Sequence, residues 1–441
     1  MNRLAFPALC LLLFTPPAHG SVLDVFGFGA RGMGMGNAQT AVADDVSANH
    51  YNPAGLALAE SLRIDVGYLH TFSRMTLNEG DLDLDENPGV QAGLVIPGSI
   101  GDIRLAFGLG FHLPNSRLSR IRALPESQPR FVLMDNRTQH VSINANIAIQ
   151  PFEGLTLGAG LTFLTDTTGT VALTGTLTPD PDEGDLANAV DVTFETARFP
   201  ALGIHWEATD RLSLGLTWRS QMAVTLDIGA DIEADIVELL GPRPLAGSVS
   251  VHSFNTNFFK PHQVFLGAAF SPAPGTLLAL DVGWMHWSAF PTPTAAVAID
   301  FSLETYDTEG LIPAPTLPED PHFEDTFAIR AGLEQGLSLG SSVDLIVRGG
   351  YAFEPSPAPD QPGVTNYVDL DRHLFSAGLA AGLFENPTGG ERPVQVDLAL
   401  QYTLHAQREY RKDSPADPIG DYVADGEVWA LMATTRFLFP W

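Results

Sequence analysis

Apolar and polar residues alternate one by one along most of the chain after about residue 61. Residues 141–150 read Val-Ser-Ile-Asn-Ala-Asn-Ile-Ala-Ile-Gln, so that every odd position is apolar, and residues 212–219 and 394–403 repeat the pattern. Successive side chains of a β-strand point to opposite faces of the sheet. The period of two therefore predicts β-strands that each carry one apolar face and one face of small or polar residues.

The alternating segments number about fourteen and predict an all-β fold. We place the strands near residues 61–73, 89–97, 102–114, 138–150, 154–167, 189–206, 211–226, 248–271, 276–288, 324–336, 342–354, 370–384, 393–409 and 426–441. Short connections such as Pro97–Gly101 alternate with long ones such as residues 115–137. An even number of strands, with short turns at one end and long loops at the other, is typical of a transmembrane antiparallel β-barrel of the bacterial outer membrane.

A soluble β-sandwich also alternates, but its apolar face points into a core. The alternating loop lengths favour the barrel, and so do residues 429–441, which carry apolar or aromatic side chains at most second positions and end on Trp441. Such a terminal strand resembles the signal that the outer-membrane barrel assembly machinery recognises. Closure removes strand edges, whose polar groups have no partner in lipid. We expect a monomer in contact with outer-membrane lipid and lipopolysaccharide.

The first twenty residues have the features of a secretory signal peptide. Arg3 gives a positive start, Leu4–Phe14 is apolar, and a cleavage site of small residues ends at Gly20, so export to the outer membrane of a Gram-negative bacterium is expected. A retained anchor is the alternative, but the apolar stretch is shorter than the ~20 residues of a spanning helix. Cys10 is the single cysteine, so the mature chain should use neither disulfides nor thiol chemistry.

The chain is strongly acidic, with a formal net charge of −29 that becomes −30 once Arg3 is removed. Its lysines are Lys260 and Lys412, and charged residues make up 17% of the sequence. Nucleic acid is therefore excluded as a partner, because phosphate binding requires a basic surface. No residue pattern calls for a cofactor or a metal. Asp81, Asp83 and Asp85 could bind calcium, but the sequence favours a solvated acidic loop as their explanation.

Residues 21–60 do not alternate and are rich in Gly, Ala and Asn. A stretch of small residues before the first strand suits a plug inside a barrel. The predicted organisation is a signal peptide over residues 1–20, a plug over 21–60 and the barrel over 61–441. Gly27–Gly32 matches the dinucleotide-binding pattern G-x-G-x-x-G, but that motif needs a βαβ unit, which alternating strands do not supply.

Several motifs of the whole mature chain resemble one known family, the outer-membrane long-chain fatty-acid and hydrocarbon transporters of the FadL/TodX/OMPP1 type. They are Arg31–Ala38, Ala43–Asp45, Asn52–Gly55, Lys260-Pro261, Asp281 with Trp287-Ser288, Arg348–Tyr351, Glu354–Pro357 and Asp369–His373 with Ser376 and Gly378. The resemblance implies fourteen strands and an N-terminal hatch. It also implies ligand capture by external loops, passage into the lumen and sideways exit where the third strand kinks.

The resemblance assigns roles to three sets of residues. The hatch motif is Asn52, Pro53, Ala54 and Gly55. Lateral exit falls on residues 102–114, where a kink is favoured by Gly108, Gly110 and Pro114. First capture falls on the loop 115–137, which combines apolar and cationic side chains: Arg117, Leu118, Ile121, Arg122, Leu124 and Phe131. The loop 227–247 is a second capture region. A loop that packs on its neighbours or on lipid headgroups is the alternative.

Alternation also predicts charged side chains that point into the lumen. They are Arg104, Arg219, Arg330, Arg348 and Arg436, with Asp281, Asp344 and Asp397. Most should be paired with one another or with the plug, because an unpaired charge in a confined site is costly. One or two could attract a ligand carboxylate. The sequence does not rank them.

The sequence predicts passive uptake of hydrophobic compounds, with long-chain fatty acids as the first choice and no enzymatic activity. Aromatic or aliphatic hydrocarbons are the alternative substrates of the same fold. A general porin for polar solutes would have no plug. An outer-membrane phospholipase is the enzymatic alternative. His140, Ser142 and Asn144 share one strand face, as the base, the nucleophile and the orienting group of such an enzyme would. That face is lumenal, away from the bilayer.

Overall fold

A computed structural model describes most of the chain. The described residues are 22–82, 84, 86–115, 128–131, 141–177, 185–236, 245–291, 296–303, 320–339, 343–383 and 394–439. Among them, no helix combines the length and the apolar character that crossing a membrane requires.

Fourteen strands form the wall of a closed barrel. They are β1 (Leu62–Leu77), β3 (Gly89–Ile100), β4 (Ile103–Pro114), β6 (Ser142–Phe152), β7 (Leu155–Leu177), β8 (Asp185–Thr209), β9 (Leu212–Arg219), β12 (Gln263–Ala273), β13 (Thr276–Met285), β15 (Thr326–Leu339), β16 (Val343–Glu354), β18 (Arg372–Leu383), β19 (Val394–Tyr410) and β20 (Tyr422–Phe439). Each wall strand is antiparallel to its wall neighbours, and β1 pairs with β20 from Leu62↔Phe439 to Leu77↔Ala424. The predicted fourteen-stranded barrel is confirmed.

Six further strands lie outside this wall. They are β2 (Gly80–Asp81), β5 (Arg130–Phe131), β10 (Met222–Ile236), β11 (Leu245–Lys260), β14 (Ala296–Leu303) and β17 (Tyr367–Val368). The backbone of β10 runs parallel to the far half of β7, from Asp227↔Thr168 to Ile236↔Leu177, and β11 and β14 continue the sheet. The wall is therefore extended on one side at the end that carries the long connections.

Two of the predicted strands are wrong in their extent. The predicted strands 211–226 and 248–271 each cover two elements, because the chain leaves the wall after Arg219 and re-enters it at Gln263. Pro261 stands at the second break, where a residue without an N–H cannot donate to the strand ladder. Alternation continues through the first break and does not reveal it, whereas it is lost over residues 252–263 around the second break.

The two faces of the wall differ as the alternation predicts. On β6, Ile143 and Ile147 are exposed, whereas Ser142, Asn144 and Asn146 are buried. The exposed face is apolar over the other wall strands too, as a surface in contact with lipid must be. Short turns occupy one end of the barrel, which is the periplasmic end of such proteins, and long connections occupy the outer end.

The N-terminal segment (residues 22–60) carries two short α-helices and two 3₁₀ helices. They are α1 (Val22–Phe26), α2 (Gly29–Gly34), Val46–Asn49 and Pro53–Leu58. Its backbone N–H groups donate to Gln91 of β3, Thr434 of β20 and Ser376 of β18. These three strands lie on one side of the barrel, and hydrogen bonds to Ile204 of β8 and Asp281 of β13 reach the other side. The segment therefore lies among inward-facing side chains. Its role as a plug stays a prediction.

Candidate functional site

Asn52 begins the second 3₁₀ helix and joins three parts of the molecule. Its Oδ1 accepts from the Ala54 N–H at 3.1 Å, an N-cap that Pro53 at the first helical position complements. Its Nδ2 donates to the Thr40 carbonyl at 2.7 Å and to the Ile204 carbonyl of β8 at 3.0 Å. The predicted hatch motif is therefore bonded both to the rest of the N-terminal segment and to the wall.

Glycines of the wall make room for this motif. A Cβ atom at Gly158 of β7 would collide with Pro53 and Ala54, and one at Gly203 of β8 would collide with Asn52 Oδ1. The motif sits so close to the two strands that no side chain fits between them.

The predicted exit strand is fully paired in this conformation. Over the described residues, β4 pairs with β3 from Gly89↔Pro114 to Ile100↔Ile103 and with β6 as far as His112↔Ser142, without a shift of register. Gly108 faces the N-terminal segment, where a Cβ atom would meet Asn49 and Leu56. The glycines of this strand therefore permit close packing here, and lateral exit stays a prediction.

A network of buried ion pairs connects the N-terminal segment to one side of the wall. Arg31 of α2 binds both carboxylate oxygens of Glu334 at 3.0 Å and Asp44 at 2.6 Å. Arg348 shares Glu334 at 2.6 Å and also binds Asp397 at 2.6 Å. One continuous chain of charges therefore links α2 with strands β15, β16 and β19.

Arg436 of β20 extends the same network. It binds Asp65 of β1 through two nitrogens and Asp45 of the N-terminal segment at 2.6 Å. Burial opposes ionisation of Asp45, but Arg436 and Arg31 outweigh it and hold the pKa of that carboxyl well below its usual range. Asp45 is therefore an anion at every physiological pH.

Asp281 of β13 holds the N-terminal segment by hydrogen bonds instead of ion pairs. Its carboxylate accepts from the Gln39 N–H at 2.9 Å, the Thr40 N–H at 2.9 Å and the Thr40 hydroxyl at 2.7 Å. All three donors reach Oδ2, whereas the buried Oδ1 makes no hydrogen bond, so Asp281 holds the segment through one of its two oxygens.

A second group of charges lies near the outer end of the lumen, around α1. Lys260 binds Asp24 at 2.7 Å, and Arg219 approaches the other oxygen of Asp24 at 3.8 Å. Burial would raise the pKa of Asp24, but these two cations lower it to about 2. Arg219 also donates to the His50 carbonyl at 3.1 Å. Burial and Arg219 hold the pKa of His50 well below its usual range, so its ring is neutral.

The same level of the barrel carries two more arginines. Glu354 of β16 binds Arg330 of β15 at 2.7 Å and Arg372 of β18 at 3.0 Å. The Arg330 guanidinium also lies 4.5 Å from the centre of the Phe265 ring, and Arg219 lies 5.4 Å from it. An aromatic ring between two arginines stabilises both cations at a site that excludes water.

These four cations outnumber the two carboxylates that pair with them. We call them the outer cation group: Arg219, Lys260, Arg330 and Arg372. All four are buried, and the Nε atoms of Arg219 and Arg372 make no hydrogen bond. Two neighbouring side chains also have a buried oxygen without a hydrogen bond. They are Thr217 of β9, through its hydroxyl, and Gln263 of β12, through its Oε1. Asp281 and Asp369 are two further carboxylates near these cations, but neither forms an ion pair with them. Buried cations with free donors can bind an anionic group.

The residues predicted to point into the lumen differ in their burial. Arg219, Arg330, Arg348 and Asp281 are buried on the inner face, whereas Arg104 lies at the short-turn end with its side chain 44% exposed, 4.0 Å from Glu60. Sequence reasoning missed Asp24, Glu354 and Arg372 as site residues. Glu354 and Arg372 do belong to motifs that carry the family resemblance, and Asp24 has no sequence signal beyond its position next to the signal peptide.

Most of the predicted capture residues lie outside the described residues, namely Arg117, Leu118, Ile121, Arg122 and Leu124. Phe131 is described, and it is buried: β5 pairs with β17 in parallel, with Phe131 opposite Val368. The phenyl ring therefore packs inside the outer end of the barrel instead of facing solvent.

The alternative chemistries gain no support. His140 lies outside the described residues, and Asn144 Oδ1 accepts from Thr162 beside a buried Ser142. Asp83 and Asp85 also lie outside them. Within the part of the chain that the structure describes, no three metal-binding side chains are grouped as a metal site requires.

Comparisons with known proteins agree with the fold and the motifs. The family model for the outer membrane protein transport protein family (OMPP1/FadL/TodX) matches residues 12–439. Alkane uptake protein A of Marinobacter nauticus is 21% identical over 424 residues, which cover 90% of this chain and 86% of that protein.

Two solved structures show the same fold. A Pseudomonas aeruginosa FadL homologue has a TM-score of 0.55 at 14% identity and covers 96% of this chain and 99% of its own. The P. putida toluene transporter TodX has a TM-score of 0.52 at 16% identity and covers 94% and 99%. Because the family model matches nearly the whole sequence, the chain belongs to the OMPP1/FadL/TodX family of outer-membrane transport proteins for hydrophobic compounds.

Proposed function

We propose that this barrel admits hydrophobic molecules passively through the outer membrane and that its preferred substrates are long-chain fatty acids. The observation that supports a fatty acid over a neutral hydrocarbon is the outer cation group. Four buried cations have two carboxylates within ion-pair distance, and the Nε–H groups of Arg219 and Arg372 have no acceptor. A carboxylate headgroup can accept from such donors, and a neutral hydrocarbon cannot.

Apolar surface beside the cations suits the acyl chain. Phe26 of α1 packs with Met33, Leu69, Phe131 and Leu370 in one buried cluster. Asp24, which binds Lys260, belongs to the same short helix, but residues two apart on an α-helix point to different sides. A ligand held by its carboxylate at Lys260 and Arg219 would therefore extend its chain around α1 and displace part of this cluster.

The proposed route has three steps. Ligand is captured on the loops 115–137 and 227–247, enters the pocket beside the N-terminal segment, and leaves near residues 102–114 after the Asn52 motif moves. The hydrogen bonds of Asn52 to Thr40 and Ile204 are neutral, whereas α2 is held by ion pairs. Neutral bonds are the weaker of the two, which supports movement at the motif. Partitioning of the ligand down its gradient supplies the driving force.

Neutral hydrocarbons are the second candidate. Alkane uptake protein A and the toluene transporter TodX carry such compounds in their names and share this fold. The apolar cluster around Phe26 would accept an alkane or an arene as readily as an acyl chain.

Binding of a radiolabelled long-chain fatty acid to the purified barrel separates the two candidates. We expect saturable binding that neither toluene nor an alkane displaces. Arg219→Gln should weaken it about tenfold to a hundredfold, the loss expected for a charge-assisted hydrogen bond. Arg104→Gln, which changes a half-exposed arginine outside the group, is the matched control and should bind normally. Displacement by toluene or the alkane would transfer the assignment to hydrocarbons.

A further inference from the structure

Residues 355–371, which connect β16 to β18 at the outer end, are irregular yet well packed. We call them the roof segment. Apart from the two residues of β17 they have no regular secondary structure, but Tyr367, Val368, Asp369 and Leu370 are all at most 1% exposed. A surface loop is normally exposed. Such burial means that the segment packs over other residues and is held in place by contacts with them.

The roof segment packs on two clusters in opposite directions. Val368 and Leu370 join the cluster of Phe26 and Phe131, which includes α1 of the N-terminal segment. Tyr367 joins a second cluster formed at the outer ends of other strands, with Phe259, Met285, Trp287, Phe290 and Phe323. The segment therefore bridges the outer end of the lumen above α1.

Three alternate residues, two at the end of β19 and one just after it, hold the roof segment from one side. Arg408 donates to the Ala358 carbonyl at 2.7 Å and binds Asp360 at 2.9 Å. The Tyr410 hydroxyl donates to the Asp369 carbonyl at 2.8 Å. Lys412 donates to the carbonyls of residues 361 and 365 at 2.6 and 2.8 Å. Most of these bonds go to backbone oxygens, so they hold the segment as a whole.

The carboxylate of Asp369 is the exception in this well-bonded segment. It is 1% exposed, and neither oxygen has a donor in hydrogen-bonding geometry, although the Ser356 side chain and the Leu370 N–H lie close to it. The nearest cations, Arg372 and Arg408, form ion pairs with Glu354 and Asp360 and none with Asp369. Burial without a bonded partner favours the protonated form of a carboxylate.

We propose that the roof segment is an acid-stabilised cover of the outer end of the lumen. Protonation of Asp369 favours the closed position described here, and ionisation of Asp369 favours release of residues 365–370. The opening would give ligands access to α1 from outside. The inference does not depend on which hydrophobic compound is carried.

The direction follows from linkage between protonation and closure. Burial raises the pKa of Asp369 to about 6, against the opposing effect of Arg372, while release into water returns it to its ordinary value near 3.8. The closed form therefore binds the proton more tightly, and closure weakens as the pH rises from about 4 to about 6. Two pKa units correspond to about a hundredfold change in the closed-to-open ratio. Other groups near Asp369 are Ser356, Arg408 and Tyr410, and His405 lies opposite Arg372 across the β18–β19 pair.

Cysteine accessibility tests the proposal, because the mature chain is expected to have no cysteine of its own. Val368→Cys places a thiol of similar size at a buried position, and Pro362→Cys places one at an exposed position of the same segment. Dividing the labelling rate of Val368→Cys by that of Pro362→Cys removes the intrinsic pH dependence of thiol reactivity. We expect this ratio to rise between pH 4.5 and pH 7.5, by at least tenfold, in the purified barrel.

Asp369→Asn supplies the decisive comparison, since a neutral amide cannot ionise. In that background the ratio should stay low at both pH values, whereas Asp413→Asn, a change at an exposed neighbouring carboxylate, should leave the rise intact. Backbone amide exchange of residues 365–370, corrected for its intrinsic pH dependence, gives the same readout without a cysteine. An unchanged rise in Asp369→Asn, or no rise in the otherwise native chain, would overturn the proposal.

Discussion

At the scale of single residues, the polar side chains of the N-terminal segment each connect parts that are distant in sequence. Asn52 satisfies one donor and two acceptors on three elements, and Asp281 binds three donors on the turn at residue 40. Each such bond contributes about 1 kcal/mol net, but a buried group that loses its partner costs about 1–3 kcal/mol. Single substitutions at these positions should therefore loosen the segment locally.

Asn52→Ala is the simplest such change. We expect it to lower the local free energy of opening of residues 46–60 by about 2 kcal/mol, because the N-cap and two buried carbonyls lose their partner. Amide hydrogen exchange of the purified barrel measures this. Ser99→Ala, at an exposed short turn, is the control. Equal exchange in the Asn52 variant and the parent would show that the motif is held by packing alone.

Asp24 gives a prediction about acid. Its pKa is about 2 in the folded chain against an ordinary value of 3.8, so its ionised form stabilises the attachment of α1 by about 2 kcal/mol above pH 4. A lowered pKa means that this contribution is lost as the pH falls from about 4 to about 2. Exchange of amides in α1 should therefore accelerate over that range beyond its intrinsic rate. In Asp24→Asn it should already be fast at pH 5 and show no further acid dependence.

At the scale of elements, alternation predicted the wall strands, since each has one face in lipid and one in the lumen. It could not separate β9 from β10, because the break at Ser220 leaves the alternation intact. Between β11 and β12 the alternation does fail, and Pro261 marks the break, but the prediction ran one strand through both. The burial of the roof segment had no sequence signal either. Residues 355–371 are rich in Pro and Asp, and their burial depends on Arg408 at the end of β19 and on Lys412 just after it.

The contact between the Asn52 motif and β8 allows a matched pair of glycine substitutions. Gly203→Ala should displace the motif and destabilise the barrel by about 1–3 kcal/mol, because the new methyl group meets Asn52 Oδ1. Gly382→Ala, also within a wall strand, places its methyl group at an ordinary 3.9 Å from Asp344 and should be nearly neutral. Urea-induced unfolding gives the free energy of unfolding of both variants and of the parent. Similar losses in both would mean that strand propensity, not the contact, sets the effect.

At the scale of the whole molecule, ion pairs connect the N-terminal segment with the wall, and we therefore expect the two to unfold as one cooperative unit. Arg31 reaches β15, and Asp45 reaches β20. The inward position of Arg219, Arg330 and Arg348 followed from alternation, but their partners did not. Asp24, Asp44 and Asp45 come from a segment without periodicity, and only the folded chain shows which arginine each one meets. The outer cation group could not be predicted for the same reason, since only the folded chain brings its four cations together. The sequence as a whole has a net charge of −29.

Arg436 is the residue at which this cooperativity can be measured. Arg436→Gln leaves Asp45 and Asp65 buried together without their shared cation, which should cost about 3–5 kcal/mol. Because one partner belongs to the segment and the other to β1, the loss should appear both in segment exchange and in unfolding of the barrel. Adding Asp65→Asn should recover part of it, since the repulsion between the two carboxylates then disappears. If Arg436→Gln changed only segment exchange and left barrel unfolding untouched, the segment would be an independent body within the lumen, and the ion pairs would serve only to hold it in place.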